Sequence, residues 1–225
     1  MMKMYQKLFS ATTKSLKDRK VPIPEILCQL AGLGPLSPTF DYSSLPFGYQ
    51  LPGLREAENT DKVMLCIGDY CSFFCFEMLE CIIDNLGTKQ DKLNLDEYKE
   101  EFQKYAKRHV FEWPSEVGKM SEEGHADMFV TLDDAYKNCN VSNLHLFVKK
   151  LQDILNISSR SGLKLCRIEP GSIKLTFQLP MCVLQDIFPL SSEQEADLAG
   201  LGVVQLSCEN YHFTNQSKIY IATHL

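Results

Sequence analysis

Between Ala126 and Ser207 the apolar residues change period several times, from every second residue to helical spacing and back. Met128, Val130 and Leu132 alternate as in a strand. Leu144, Phe147, Val148, Leu151 and Leu155 then follow a helical stripe, with Ser142 as an N-cap. Leu163, Leu165 and Arg167 resume the alternation up to a turn at Glu169-Pro170-Gly171. On the return strand Ile173, Leu175, Phe177 and Leu179 point one way, and Ser172, Lys174, Thr176 and Gln178 point toward solvent. Pro180 ends it. A broken helix carries Val183, Leu184, Ile187 and Phe188 before Pro189, and restarts at Ser191 or Ser192 with Glu195 in a capping box. Val203 to Leu206 form the last strand.

Strands with a single apolar face need a single cover, and two helices are available for it. The fold expected is α+β: an N-terminal helical domain followed by a ferredoxin-like βαββαβ sandwich, its first and third strands central. The boundaries expected are 1–110 for the helical domain, 111–124 for a linker, 125–210 for the α+β domain and 211–225 for a tail or edge strand. A length of 225 residues accommodates this.

In the helical half, Tyr5, Leu8, Phe9, Thr12 and Leu16 share one face of a helix over Met4–Lys17. Pro22 and Pro24 break it, and Ile26, Leu27 and Leu30 form a short second stripe. Residues 35–53 hold four prolines and read as a loop. A third helix runs from Asp61 to a break at Gly68. Ser72 caps a fourth, with Phe74, Met78, Ile82 and Leu86 along one stripe and Cys75, Leu79 and Ile83 along the next, ending at Gly87. Asp96 to His109 is a charged helix with Leu95, Tyr98, Phe102 and Tyr105 inward. The phrase Leu-Ala-Gly-Leu-Gly occurs at 30–34 and 198–202, each time where a helix should stop.

A net charge of -6 argues against nucleic acid as a partner. Six basic side chains (Lys3, Lys7, Lys14, Lys17, Arg19, Lys20) and one acid, Asp18, crowd the first twenty residues. That helix could alternatively meet RNA or an anionic membrane. No apolar run has the length of a membrane span and no secretory leader is visible, so a cytoplasmic location is expected. Nine cysteines, an odd number, then read as reduced thiols rather than a disulfide framework.

Cys66, Cys71, Cys75 and Cys81 are the densest set of metal-ligating or nucleophilic side chains. Cys71 and Cys75 would share a helix face among phenylalanines, the setting of core thiols. The alternative is a thiol-dependent enzyme using the Cys66–Cys81 region. No phosphate-binding, zinc-hydrolase or nucleophile-elbow motif is present, and His109, His125, His145, His212 and His224 are scattered. No catalytic, metal-binding or cofactor-binding residue is expected. Phe129 alone could stack a base on the sheet. Two features favour other proteins as partners. The Cys166 strand should be outermost and unpaired, open to strand addition. Thr223-His224-Leu225 fits the terminal pattern that PDZ-type domains accept, through Thr223 and Leu225.

Two sets of segments carry a resemblance. Phe9-Ser-Ala-Thr-Thr-Lys-Ser-Leu16 and Phe73-Phe-Cys-Phe-Glu-Met-Leu-Glu-Cys-Ile-Ile83 resemble a helical module of large multidomain proteins in early-branching animals. Leu165-Cys-Arg-Ile-Glu-Pro-Gly171, Leu175-Thr-Phe177, Ile187-Phe-Pro-Leu190 and Leu206-Ser-Cys208 are similar to an α+β module that often follows it. In those proteins the pair accompanies death-type, ankyrin or nucleotide-oligomerising domains of signalling and innate-immune receptors. The resemblance implies a regulatory or interaction module, here without those companions, and brings no catalytic residue with it.

Overall fold

The structure is a computed structural model and describes residues 1–31, 53–54, 57–109, 115–116, 124–136, 140–157, 163–169 and 173–215. The expected proline-rich loop, most of the linker, the Pro170-Gly171 turn and the last ten residues lie outside them.

The chain is mixed α+β, with helices first. α1 (Met2–Asp18) buries Tyr5, Leu8, Thr12 and Leu16 and packs against α3 (Thr60–Tyr70) and α5 (Lys89–Arg108). Its apolar stripe is therefore taken up by the core. α2 (Ile23–Ala31) packs on α4 (Glu77–Leu86). α3 runs through Gly68, where a break was expected. The missing side chain there admits Phe9: a Cβ would stand 3.2 Å from its ring.

Two starts differ from the periodic reading. Ser72 does not cap α4. Its hydroxyl accepts from the Phe74 and Cys75 amides (3.3 and 3.0 Å) and closes a separate turn, so Cys71 and Cys75 lie ahead of the helix and share no helical face. α5 begins seven residues before Asp96, at a capping box between Thr88 and Asp91. Asp91 also accepts from the Ser15 hydroxyl (2.6 Å), tying α5 to α1. Burial would raise its pKa, but bonds from Ser15 and Thr88 and the nearby Arg19 charge outweigh that and hold the carboxyl below the usual range.

The second half forms an antiparallel sheet of five full strands, with the two-residue β1 (Ser115–Glu116) added at one edge. β2 is His125–Leu132, β3 Lys164–Glu169, β4 Lys174–Pro180, β5 Val203–Cys208 and β6 Tyr211–Thr214. The order β1-β3-β4-β2-β5-β6 sets the first and third of the expected strands side by side at the centre. α6 (Val141–Ile154) joins β2 to β3, and α7 (Met181–Ile187) with α8 (Ser192–Gly200) joins β4 to β5. α6 is capped by Asn140 rather than Ser142, and α8 by Ser191 with Gln194, not Glu195, completing the box. Gly202, which closes the second Leu-Ala-Gly-Leu-Gly phrase, has φ +92°, the left-handed position expected where the helix stops.

Ile173, Leu175, Phe177 and Leu179 are buried, as their alternation requires. Thr176 and Gln178, expected in water, are buried as well. Buried residues from helices and sheet belong to one continuous cluster, with α6 packed against both α5 and α8.

Candidate functional site

Two patches lie where the helical half meets the second half, one at the sheet and one at α6. The first is closed. Lys164 opens β3, is 3% exposed, and donates its ammonium to the carbonyl of Asp69 in the last turn of α3. A cation on those carbonyls answers the negative end of the helix. The rings of Tyr70 and His125 pack nearby in a tilted arrangement, centroids 4.8 Å apart. On the same face of the sheet Gln178 donates to the Asp127 carboxylate (2.9 Å), and the Cys166 thiol points at the Gln178 carbonyl oxygen (3.8 Å).

The thiols gather around Lys164 but are shielded. Burial raises Cys71 to about 12 and Cys166 to about 11, with the Lys164 charge opposing the rise at both. Burial raises Cys75 too, and the Glu77 charge adds to it. A thiol so placed holds a negligible thiolate fraction at neutral pH. Lys164 is itself lowered by burial, against the pull of Cys166, Asp69 and the other thiols. Cys81 donates to the Gln29 carbonyl (3.3 Å), away from this group. None of the seven described cysteines forms a disulfide, and among the described residues no three histidines, cysteines or acids converge as a metal set.

The second patch is open. Phe76, Phe102 and Ala106 form the floor of a groove of about 380 Å³ between α4, α5 and α6. Phe76 and Phe102 pack edge to face at 5.5 Å. His145 of α6 leans in beside them, parallel to Phe76 at 6.3 Å and tilted to Phe102 at 5.2 Å. Lys99, Lys107 and Lys149 stand on the walls with Gln103, Ser142 and the 54% exposed Leu146. Lys99 is matched by Glu80 at 2.5 Å. Lys107 and Lys149 make no ion pair among the described residues.

Charge below the floor is muted. The His145 ring nitrogen Nε2 stands 3.9 Å from Glu77, beyond hydrogen-bond range, and Nδ1 is buried without a partner. Burial, then the Lys149 charge, depresses His145 to about 4, the Phe74 backbone opposing. Burial likewise raises Glu77, with Lys149 countering. Both side chains are thus pushed toward their neutral forms.

The residues singled out by sequence fare unequally. Cys166 is 1% exposed, and its strand is not outermost: β1 pairs alongside at Ile168 and Arg167. A register shift between Leu165 and Arg167 turns Arg167 outward. Thr223 and Leu225 lie outside the described residues. Phe129 is 39% exposed on β2, between Thr176 and Ser207 of the neighbouring strands. The groove lysines carried no sequence signal, because Lys107 and Lys149 belong to different helices forty-two positions apart. No helix among the described residues is long and apolar enough to cross a membrane. No family model matches the chain, and neither a curated protein nor a solved structure matches it.

Proposed function

We propose that this chain is a non-enzymatic protein-interaction module of regulatory type, cytoplasmic, which docks a partner on the groove between α4, α5 and α6. The observation that carries this reading is unmatched charge over an apolar floor. Lys107 and Lys149 make no ion pair among the described residues, yet they flank the groove floor of Phe76 and Phe102 in a protein of net charge -6. Positive charge left over in an acidic chain is complementary to an acidic surface. The exposed Leu146 over the apolar floor beside it supplies the apolar centre that a specific interface needs.

The environment of the thiols supports binding over nucleophilic catalysis. Cys71, Cys75 and Cys166 are buried and raised, the opposite of the electropositive, accessible setting that activates a thiolate. We further read β2 to β5 with α6, α7 and α8 as a ferredoxin-like sandwich, supported by the order β3-β4-β2-β5 and a helical connection on each side. That likeness assigns no activity by itself. The resemblance to modules of signalling receptors points the same way.

The test is quantitative affinity capture from native cells with the intact chain and with a Lys107→Glu/Lys149→Glu variant. Specific partners should fall by about tenfold or more on the variant, as charge reversal at a complementary edge costs on the order of 1–3 kcal/mol. An unchanged partner set would remove the groove from consideration.

A further inference from the structure

The groove is small, and two cations that make no ion pair among the described residues flank its apolar floor. A volume of about 380 Å³ sits at the lower end of small-molecule sites and has room for one or two side chains. The floor, Phe76, Phe102 and Ala106, is apolar, and Leu146 extends it upward at the rim. The walls supply ammonium groups from opposite sides, Lys107 at the end of α5 and Lys149 along α6. Gln103 and Ser142 add neutral hydrogen-bonding groups between them. Glu80 is the one acid on the lining and is consumed by Lys99.

We infer, building on the reading of the groove as a docking site, that its occupant is an acidic peptide segment carrying one aromatic or aliphatic anchor. The anchor rests on Phe76 and Phe102, and carboxylates on either side of it reach Lys107 and Lys149. Charge complementarity selects the class. A basic or neutral peptide leaves both lysines unmatched and gains only a small apolar contact. An acidic peptide without an anchor leaves the exposed Leu146 and the apolar floor behind it uncovered and binds through screened surface charge alone. The two features together give specificity that neither gives separately.

Binding is read by fluorescence anisotropy of a fluorescein-labelled heptapeptide made of three glutamates, one phenylalanine and three glutamates. A companion peptide has serine in place of the phenylalanine. The expected result is saturable binding with a Kd of about 100 µM or tighter. It should weaken about tenfold with the serine peptide, about tenfold with Lys107→Glu/Lys149→Glu, and several-fold with Leu146→Ser. All three positions are exposed, so the variants keep the core, which a melting curve verifies. Equal affinity for the serine peptide, or no change in the double variant, overturns the inference. So does phenyl phosphate displacing the peptide at comparable concentration, which would reassign the groove to small anions. If partner capture depends on the two lysines while the peptide fails to bind, the docking site stands and the assignment of its occupant is wrong. If capture ignores the lysines, the docking site itself is wrong.

Discussion

The closed patch around Lys164 and the open groove beside Lys149 join the same two halves of the molecule, and they treat a lysine in opposite ways. Lys164 is sealed, and its ammonium is used up on a helix-end carbonyl. Lys149 is exposed, makes no ion pair among the described residues, and acts on His145 and Glu77 through charge. The closed patch holds the residue types that draw attention in a sequence, three cysteines and a buried lysine. The open one holds ordinary surface lysines over two rings. Reactive types do not make a site when every polar atom is turned inward. Access and unanswered charge are what leave a surface able to bind.

The buried core behind the groove gives the largest expected effect. Phe74 is fully buried, sits within the turn closed by Ser72, and packs against Phe102 and His145. Phe74→Ala should cost about 3–5 kcal/mol. Because the buried cluster is continuous from helices to sheet, hydrogen exchange should show α5 and β4 losing protection together. Loss confined to the helices would mean that the two patches are energetically separate.

Next in size is the tether of the closed patch. Lys164→Ala removes both a buried stem and the charge on the Asp69 carbonyl, and should cost about 2–3 kcal/mol in urea titration. Lys164→Met keeps the packing and avoids burying an ammonium, so its cost should be about 1 kcal/mol or less. Equal costs for the two variants would show that the helix-end contact, rather than stem packing, dominates.

Legibility followed locality. β4 was readable because Ile173, Leu175, Phe177 and Leu179 alternate without interruption, and all four are buried. α1 was readable from the spacing of Tyr5, Leu8, Thr12 and Leu16. The start of α5 was hidden because Lys89, Gln90 and Lys92 show no apolar period, and only the Thr88-Asp91 box marks it. Gly68 misled because a glycine that ends a helix and one that admits a ring look alike in sequence. Thr176 and Gln178 misled because alternation reports polarity, whereas burial of the second face depends on what the rest of the chain brings to it. The same limit applied to the groove. Phe102 was readable as core, but its meeting with Phe76, His145 and Lys149 is a tertiary fact.

His145 lies under the groove and gives the comparison a pH axis. Its folded value, about 4, is below the unfolded value near 6.5. Between these values the unfolded chain binds the extra proton, so the stability it contributes is present above about pH 6.5 and is lost as pH falls toward 4. The loss should be on the order of 2 kcal/mol after allowance for the ring's 16% exposure. Glu77 works the other way. Its raised pKa means that stability is lost as pH rises from its unfolded value near 4.5 through its folded one, so the net slope reports the difference. His145→Gln should therefore steepen the remaining opposite slope from Glu77. A profile unchanged by that substitution would show that the imidazole is not the group being titrated.

The smallest stability effect belongs to the groove lysines, and this is what separates the patches most sharply. Lys107→Glu and Lys149→Glu should each change stability at neutral pH by less than about 0.5 kcal/mol, since both side chains are exposed and unpaired. Lys149→Glu should nevertheless be visible in the acid limb. The Lys149 charge helps to depress His145, so its reversal moves the folded imidazole value up toward 6.5 and shortens the window over which stability falls. Lys107 is not among the charges that set His145, so Lys107→Glu should leave the limb where it is. A shift of equal size in both variants would mean that the limb follows net charge, and that Lys149 has no particular hold on the ring beneath it.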